Sequence, residues 1–253
     1  MALFNSSNPT IKESVFSKEQ VLDSSQVMTV NGTINKIGIS LIILLVSASY
    51  TWGIFFEGIT PEGIPNMQTW IWGGLIGGLV LALITIFNKK ISHITVPLYA
   101  IAEGLFLGAI SAFFEAMYPG IVIQAVALTF TTFFMLLIAY KTGFVKVTQK
   151  FKSGVIAATG GIFLFYMATF ILNMFGVGFG YSTGNSLMSI GISVFVVVIA
   201  ALNLVLDFDM IDKGAKQRAP KYMEWYGAFG LLVTLVWLYL EILRLLAKLN
   251  SRD

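Results

Sequence analysis

Seven long apolar stretches, each set off from the next by a short polar segment, dominate the pattern of this chain. They run approximately Ile37–Phe56, Trp70–Phe87, Val96–Tyr118, Ile121–Tyr140, Val155–Phe175, Leu187–Phe208 and Trp225–Leu249. Each reaches about 18 residues or more, the length a helix rising 1.5 Å per residue needs to cross a hydrocarbon core of roughly 30 Å. Lipid cannot satisfy free backbone groups, and the runs lack the alternation of barrel strands, so helices are the predicted form. The expected fold class is an all-α integral membrane protein, a seven-transmembrane-helix bundle. Residues 1–36 are read as a polar cytoplasmic tail, 37–249 as the transmembrane domain and 250–253 as a short C-terminal tail.

Composition agrees with that reading. Hydrophobic residues make up 57% of 253 positions and charged residues 11%, against about 25% charged in ordinary soluble domains. The mean hydropathy is +0.82. The Ser-rich first 36 residues carry Lys12, Glu13, Lys18, Glu19 and Asp23 and no apolar core of a signal peptide, so the first span is expected to start insertion. With no cysteine, disulfides and thiolate metal sites are excluded, and one histidine, His93, cannot build a multi-histidine metal centre. Asn31-Gly32-Thr33 fits a glycosylation acceptor, but so short a pattern in a tail placed in the cytoplasm is read as chance.

The basic residues set the orientation. Lys12, Lys18 and Lys36 precede the first span; Lys89 and Lys90 lie in the second loop; Lys141, Lys146, Lys150 and Lys152 in the fourth; Lys213, Lys216, Arg218 and Lys221 in the sixth. The intervening loops, near Glu57–Thr69, Pro119–Gly120 and Gly176–Ser186, hold none. Basic loops stay on the cytoplasmic side, so the N-terminus is expected inside. Seven crossings put the C-terminus outside, where Arg244, Lys248 and Arg252 depart from the rule: either they snorkel to outer headgroups or the last segment turns back, and seven full spans are the favoured reading. The net charge of +3 follows from the loop lysines and points to lipid-surface contact, not nucleic acid.

Gly73, Gly74, Gly77 and Gly78 in the second span, and Gly104 and Gly108 in the third, form small-xxx-small pairs. Such pairs let helix backbones approach closely, so both spans are expected in the interior. The Gly-rich Gly176–Gly184 stretch has no lysine and follows no strand, so it is read as an outer loop, not a phosphate cradle.

Carboxylates inside apolar runs carry the candidate chemistry, because an ionised group at mid-membrane costs at least roughly 2.5–3.5 kcal/mol and persists where it faces a cavity or a partner. They are Glu103 in span three, Asp207 and Asp209 near the inner end of span six, and Glu224 and Glu241 in span seven. Asp207 follows Asn203 by one turn, so both share a face, whereas Asp209 points about 200° away from Asp207. Thr234, Glu241, Arg244 and Lys248 fall on one stripe of span seven, and Arg244 is placed to pair with Glu241 at i+3.

The stretch Asn203-Leu-Val-Leu-Asp207-Phe-Asp209-Met-Ile, followed by Trp237-Leu-Tyr-Leu-Glu241-Ile-Leu-Arg244-Leu-Leu, resembles the Bax inhibitor family, as does Met28-Thr-Val-Asn-Gly-Thr-Ile-Asn-Lys36 before span one. The likeness is to bacterial members. It implies a bundle with a central last helix and a pH-sensitive calcium leak gated by two carboxylates, matched here by Asp207 and Glu241. Three departures stand out: Glu replaces Asp on span seven, Asp209 is an additional acid, and the segment between the two motifs is longer. A straight span seven puts Glu241 roughly 27 Å beyond Met223, with Asp207 about 10 Å from the inner surface. Asp207 is therefore the anchor, Glu241 its motif-based partner, and Glu224 and Glu103 its rivals by depth.

Carboxylates sharing a dehydrated site cannot all ionise cheaply, so such a set retains a proton near neutrality. Acid would close the site, and higher pH would open it to a hard cation such as Ca²⁺ on the oxygens of Asp207 and Glu241. No enzyme activity and no resident cofactor is expected: a zinc hydrolase needs more histidines, no Gly-x-Gly-Asp marks an aspartyl protease, and a retinal protein needs a mid-membrane lysine on span seven. The expected partners are membrane lipids, Ca²⁺ and a membrane-protein partner, with the bacterial inner (plasma) membrane as location. The competing reading is a non-transporting regulator that binds a membrane protease or stress-response partner.

Overall fold

The computed structural model of the chain describes residues 26–61, 63–176 and 186–251. Lys12, Lys18 and the other charges before Gln26, the glycines from Gly178 to Gly184 and Arg252 lie outside the described residues. Among the described residues seven α-helices follow one another: α1 Val30–Glu57, α2 Gln68–Phe87, α3 Ser92–Met117, α4 Ile121–Lys141, α5 Gln149–Met174, α6 Leu187–Lys216 and α7 Met223–Asn250, with a 3₁₀ turn at Lys89–Ile91 before α3. All seven are long and apolar enough to cross a membrane, and no strand element stands among the described residues. The chain is an all-α, multi-pass integral membrane protein.

Several helices outrun the apolar stretches that announce them. Hydropathy marks only the part that must sit in hydrocarbon, whereas caps decide where a helix starts and stops. α1 begins at Val30 because Thr29 accepts a hydrogen bond from Gly32 N at its start. Asn31-Gly32-Thr33 is thereby part of the first turn, with Thr33 buried. α5 begins at Gln149 because Thr148 accepts from Phe151 N at 3.2 Å. α6 runs eight residues past Phe208, its polar last turns held by an Asp212–Lys216 pair at 2.6 Å and by lysines favourable to the helix dipole. It closes in a Schellman turn: Ala219 N donates to Gly214 O, Arg218 N donates to Ala215 O, and Arg218 takes φ 56°.

The helices group into two compact units. The described part of one falls within Thr10–Val122 and Met210–Leu232 and holds α1, α2, α3 and the turn from α6 into α7. Here α3 is the hub, with 61% of its apolar window buried against 17% for α2. Only α3 meets the interior position expected of both glycine-bearing spans. α2 lays one face on it, where Gly74 and Gly78 are buried; a side chain at Gly74 would meet Ala102 O at 2.7 Å. On the other side, Gly104 and Gly108 receive the backbone of α1 at Leu44 and Ala48, and Thr51 Oγ1 donates to Leu105 O at 3.0 Å.

The other unit, within Ile123–Asp209 and Val233–Asp253, holds α4, α5, most of α6 and the second half of α7. Its core joins Ile162 of α5 to Val196 and Ile199 of α6, with Tyr166 and Trp237 packed alongside. Phe208 meets Phe133 edge-on at 5.5 Å and Tyr140 at a tilt at 6.1 Å. The apolar window of α7 is as buried as that of α3, at 61%.

Candidate functional site

The acids of α6 and α7 are engaged one by one. Asp207 has no exposed surface, and its Oδ2 accepts a 2.6 Å hydrogen bond from Thr234 Oγ1 of α7. Asp209, two residues on, pairs with Lys152 Nζ of α5 at 3.0 Å, and both side chains are buried. The two aspartates meet different helices, as a rotation of about 200° between them requires. Asn203 is buried on α6 and donates to Thr159 Oγ1 of α5 and to Ile199 O, each at 2.8 Å.

Glu241 is buried on α7 and accepts from the Tyr166 hydroxyl at 3.0 and 3.1 Å and from Arg244 at 2.9 Å. The i+3 pair read from the sequence is therefore present, with half-exposed Arg244 also 6.0 Å from the Tyr166 ring. Lys248, one turn on, donates to Ser193 Oγ of α6 at 2.9 Å. The polar stripe of α7 thus meets α6 at Thr234, α5 at Glu241 and α6 again at Lys248. Seven residues, about 10 Å of helical rise, separate Thr234 from Glu241. On α7, Asp207 lies level with Thr234, so Asp207 and Glu241 hold different polar partners at different heights.

Glu224 and Glu103 belong to the other unit. Glu224 has no exposed surface; its Oε1 accepts from Thr29 N and Thr29 Oγ1 at 2.9 Å, and its carboxylate pairs with Lys36 and with Lys221 Nζ, the latter at 3.1 Å. Glu103 is buried on α3, packs over Gly78 of α2 and is hydrogen-bonded to Tyr99. Tyr99 in turn sits edge-on to Phe229 at 5.0 Å.

Three contacts escaped the sequence reading. Lys152 reads as a loop lysine but lies in the first turns of α5, buried against Asp209, because the helix starts at its Thr148 cap. Tyr166 sits in the middle of an apolar run, where nothing in sequence distinguishes it from packing. Lys36 reads as a topology signal, yet it is a counter-charge to Glu224 nearly 190 residues away. Charge pairing of such sequence separation leaves no local trace.

These groups present single carboxylates, each with a hydroxyl or a cation, on otherwise apolar helices. Among the described residues no three His, Asp or Glu side chains gather closely enough to hold a metal ion together. The sequence matches a family model described as Bax inhibitor 1 like over residues 8–251, and the chain belongs to that family. No curated protein matches it in sequence.

Proposed function

From that family membership as premise, we propose that the chain is a pH-sensitive leak channel for cations, Ca²⁺ among them, gated by protonation of carboxylates within the membrane. The observation that carries the reading is Asp207: a carboxyl with no exposed surface, in an apolar helix, held by the hydroxyl of Thr234 on the next helix. A buried acid of this kind is costly and is retained where it has a task.

In the closed arrangement Asp207 carries a proton and stays beside the Thr234 hydroxyl, with no charge to draw an ion. Acid favours this arrangement, since a protonated carboxyl binds a hard cation poorly; rising pH ionises the carboxyl and draws in water and cation together. Glu241, with Tyr166 and Arg244, serves as the second carboxylate on the path. Ca²⁺ prefers six to eight oxygens, so water and backbone carbonyls complete its shell in passage, as suits a leak. Glu224 already faces two lysines and two donors of Thr29, which supports a holding role for it.

The basic loops support an N-terminus on the cytoplasmic side, and the bacterial inner membrane is the proposed location. Calcium flux into proteoliposomes at pH 6 and pH 8, for the parent chain and for Asp207→Asn and Glu241→Gln, tests the reading. Folded protein with no flux at either pH would favour a non-transporting regulator of a membrane-protein partner.

A further inference from the structure

The N-terminal side of α1 is tied to the start of α7 by an unusual density of polar contacts. Gln26 to Thr29 runs antiparallel to Ala219–Lys221: Met28 N donates to Ala219 O and Lys221 N donates to Gln26 O, both at 2.7 Å, with Val27 opposite Pro220. Pro220 occupies the position of this bridge that needs no N–H, and the Schellman turn at Arg218 aims the strand toward Val27. Met28 is buried, its methyl group close to Gly227 of α7.

Glu224 fastens the arrangement. Its carboxylate accepts from both donors of Thr29, the cap of α1, and pairs with Lys36 from the second turn of α1 and Lys221 from the α7 side. It sits so close to Gly32 that any side chain there would overlap it. Lys36 and Lys89 further lie over the rings of Trp225 and Tyr226, at 5.6 and 5.7 Å. A helix start needs at most one cap, so this many charged contacts on one buried acid exceed what starting α7 requires.

We propose that Gln26–Thr29 is a regulatory strap, buckled by Glu224, that sets the position of α7 and holds the channel closed while engaged. α7 is a single helix from Met223 to Asn250, so a shift of its first turn is carried along its axis to Thr234, about 15 Å further on. Releasing the buckle leaves a buried carboxylate without counter-charges, which drives the first turn of α7 to move until water reaches Glu224. The functional consequence rests on the leak reading; the mechanical one does not.

The absence of cysteine from the chain gives a clean test. Val27→Cys with Pro220→Cys places two thiols on a non-hydrogen-bonded pair, about 4.5 Å apart at Cα, within disulfide reach. In reconstituted full-length protein, oxidation is expected to consume both thiols, to slow hydrogen exchange over residues 223–234 by at least about tenfold, and to lower calcium flux at pH 8 by at least about fivefold, each reversed by reductant. Glu224→Gln in the cysteine-free chain is expected to raise flux at pH 6. Thiols that stay free, or a disulfide that changes neither exchange nor flux, would overturn the strap. Slowed exchange in protein that carries no calcium in any form would uphold the strap and sink the leak.

Discussion

Thr234 Oγ1 and Asp207 Oδ2 stand 2.6 Å apart, joining α7 to α6 through two side chains of 3% and 0% exposure. The bond fixes the height at which the helices meet. Thr234→Val keeps the shape and removes the donor. It is expected to cost about 1–3 kcal/mol of stability, the penalty for leaving a buried acceptor without its partner. Thermal unfolding in detergent reads this, and Thr234→Ser should recover most of the loss. Wild-type stability in the valine variant would mean that the bond contributes nothing.

Lys152 and Asp209 form a buried pair at 3.0 Å. Lys152→Met alone should destabilise by about 3–5 kcal/mol, because it removes a counter-charge from a buried carboxylate, while Lys152→Met with Asp209→Leu should regain most of that. A double-mutant cycle in unfolding experiments checks this. If the double variant is as unstable as the sum of the single ones, the two side chains are not coupled.

The α1–α3 contact depends on the missing side chain of Gly108, where a Cβ would collide with Ala48 O and Thr51 Oγ1. Two backbones meet there, and neither can step aside as a flexible side chain would. Gly108→Ala is therefore expected to cost about 1–3 kcal/mol as overpacking, and Gly108→Val more. Gly73→Ala, with open space around the added atom, should leave stability unchanged. Equal effects of the two alanine variants would contradict the packing described.

Much of the fold is legible in the chain because hydrocarbon imposes a length on each apolar run, and the runs predict seven helices. The small-xxx-small pairs locate α3 against its neighbours, but they misplace α2, since a motif shows that one face is packed and is silent on the others. The identity of the acids is legible too: Asp207, Asp209, Glu103, Glu224 and Glu241 are all buried. Their partners are not. Thr234 was visible as part of a stripe, and Arg244 by its i+3 spacing, whereas Lys152, Tyr166 and the Lys36–Glu224 pair come from helices far apart in sequence. Helical periodicity reports faces, and only the packed structure reports what each face meets.

The central claim is tested most directly by calcium flux into proteoliposomes at pH 6 and pH 8, wild type beside Asp207→Asn. Flux is expected to rise with pH in the wild type, as the ionised carboxylate admits the cation, and to fall at least about tenfold at pH 8 in the variant, the factor that corresponds to 1.4 kcal/mol. Equal flux through folded wild type and Asp207→Asn at both pH values would contradict the account.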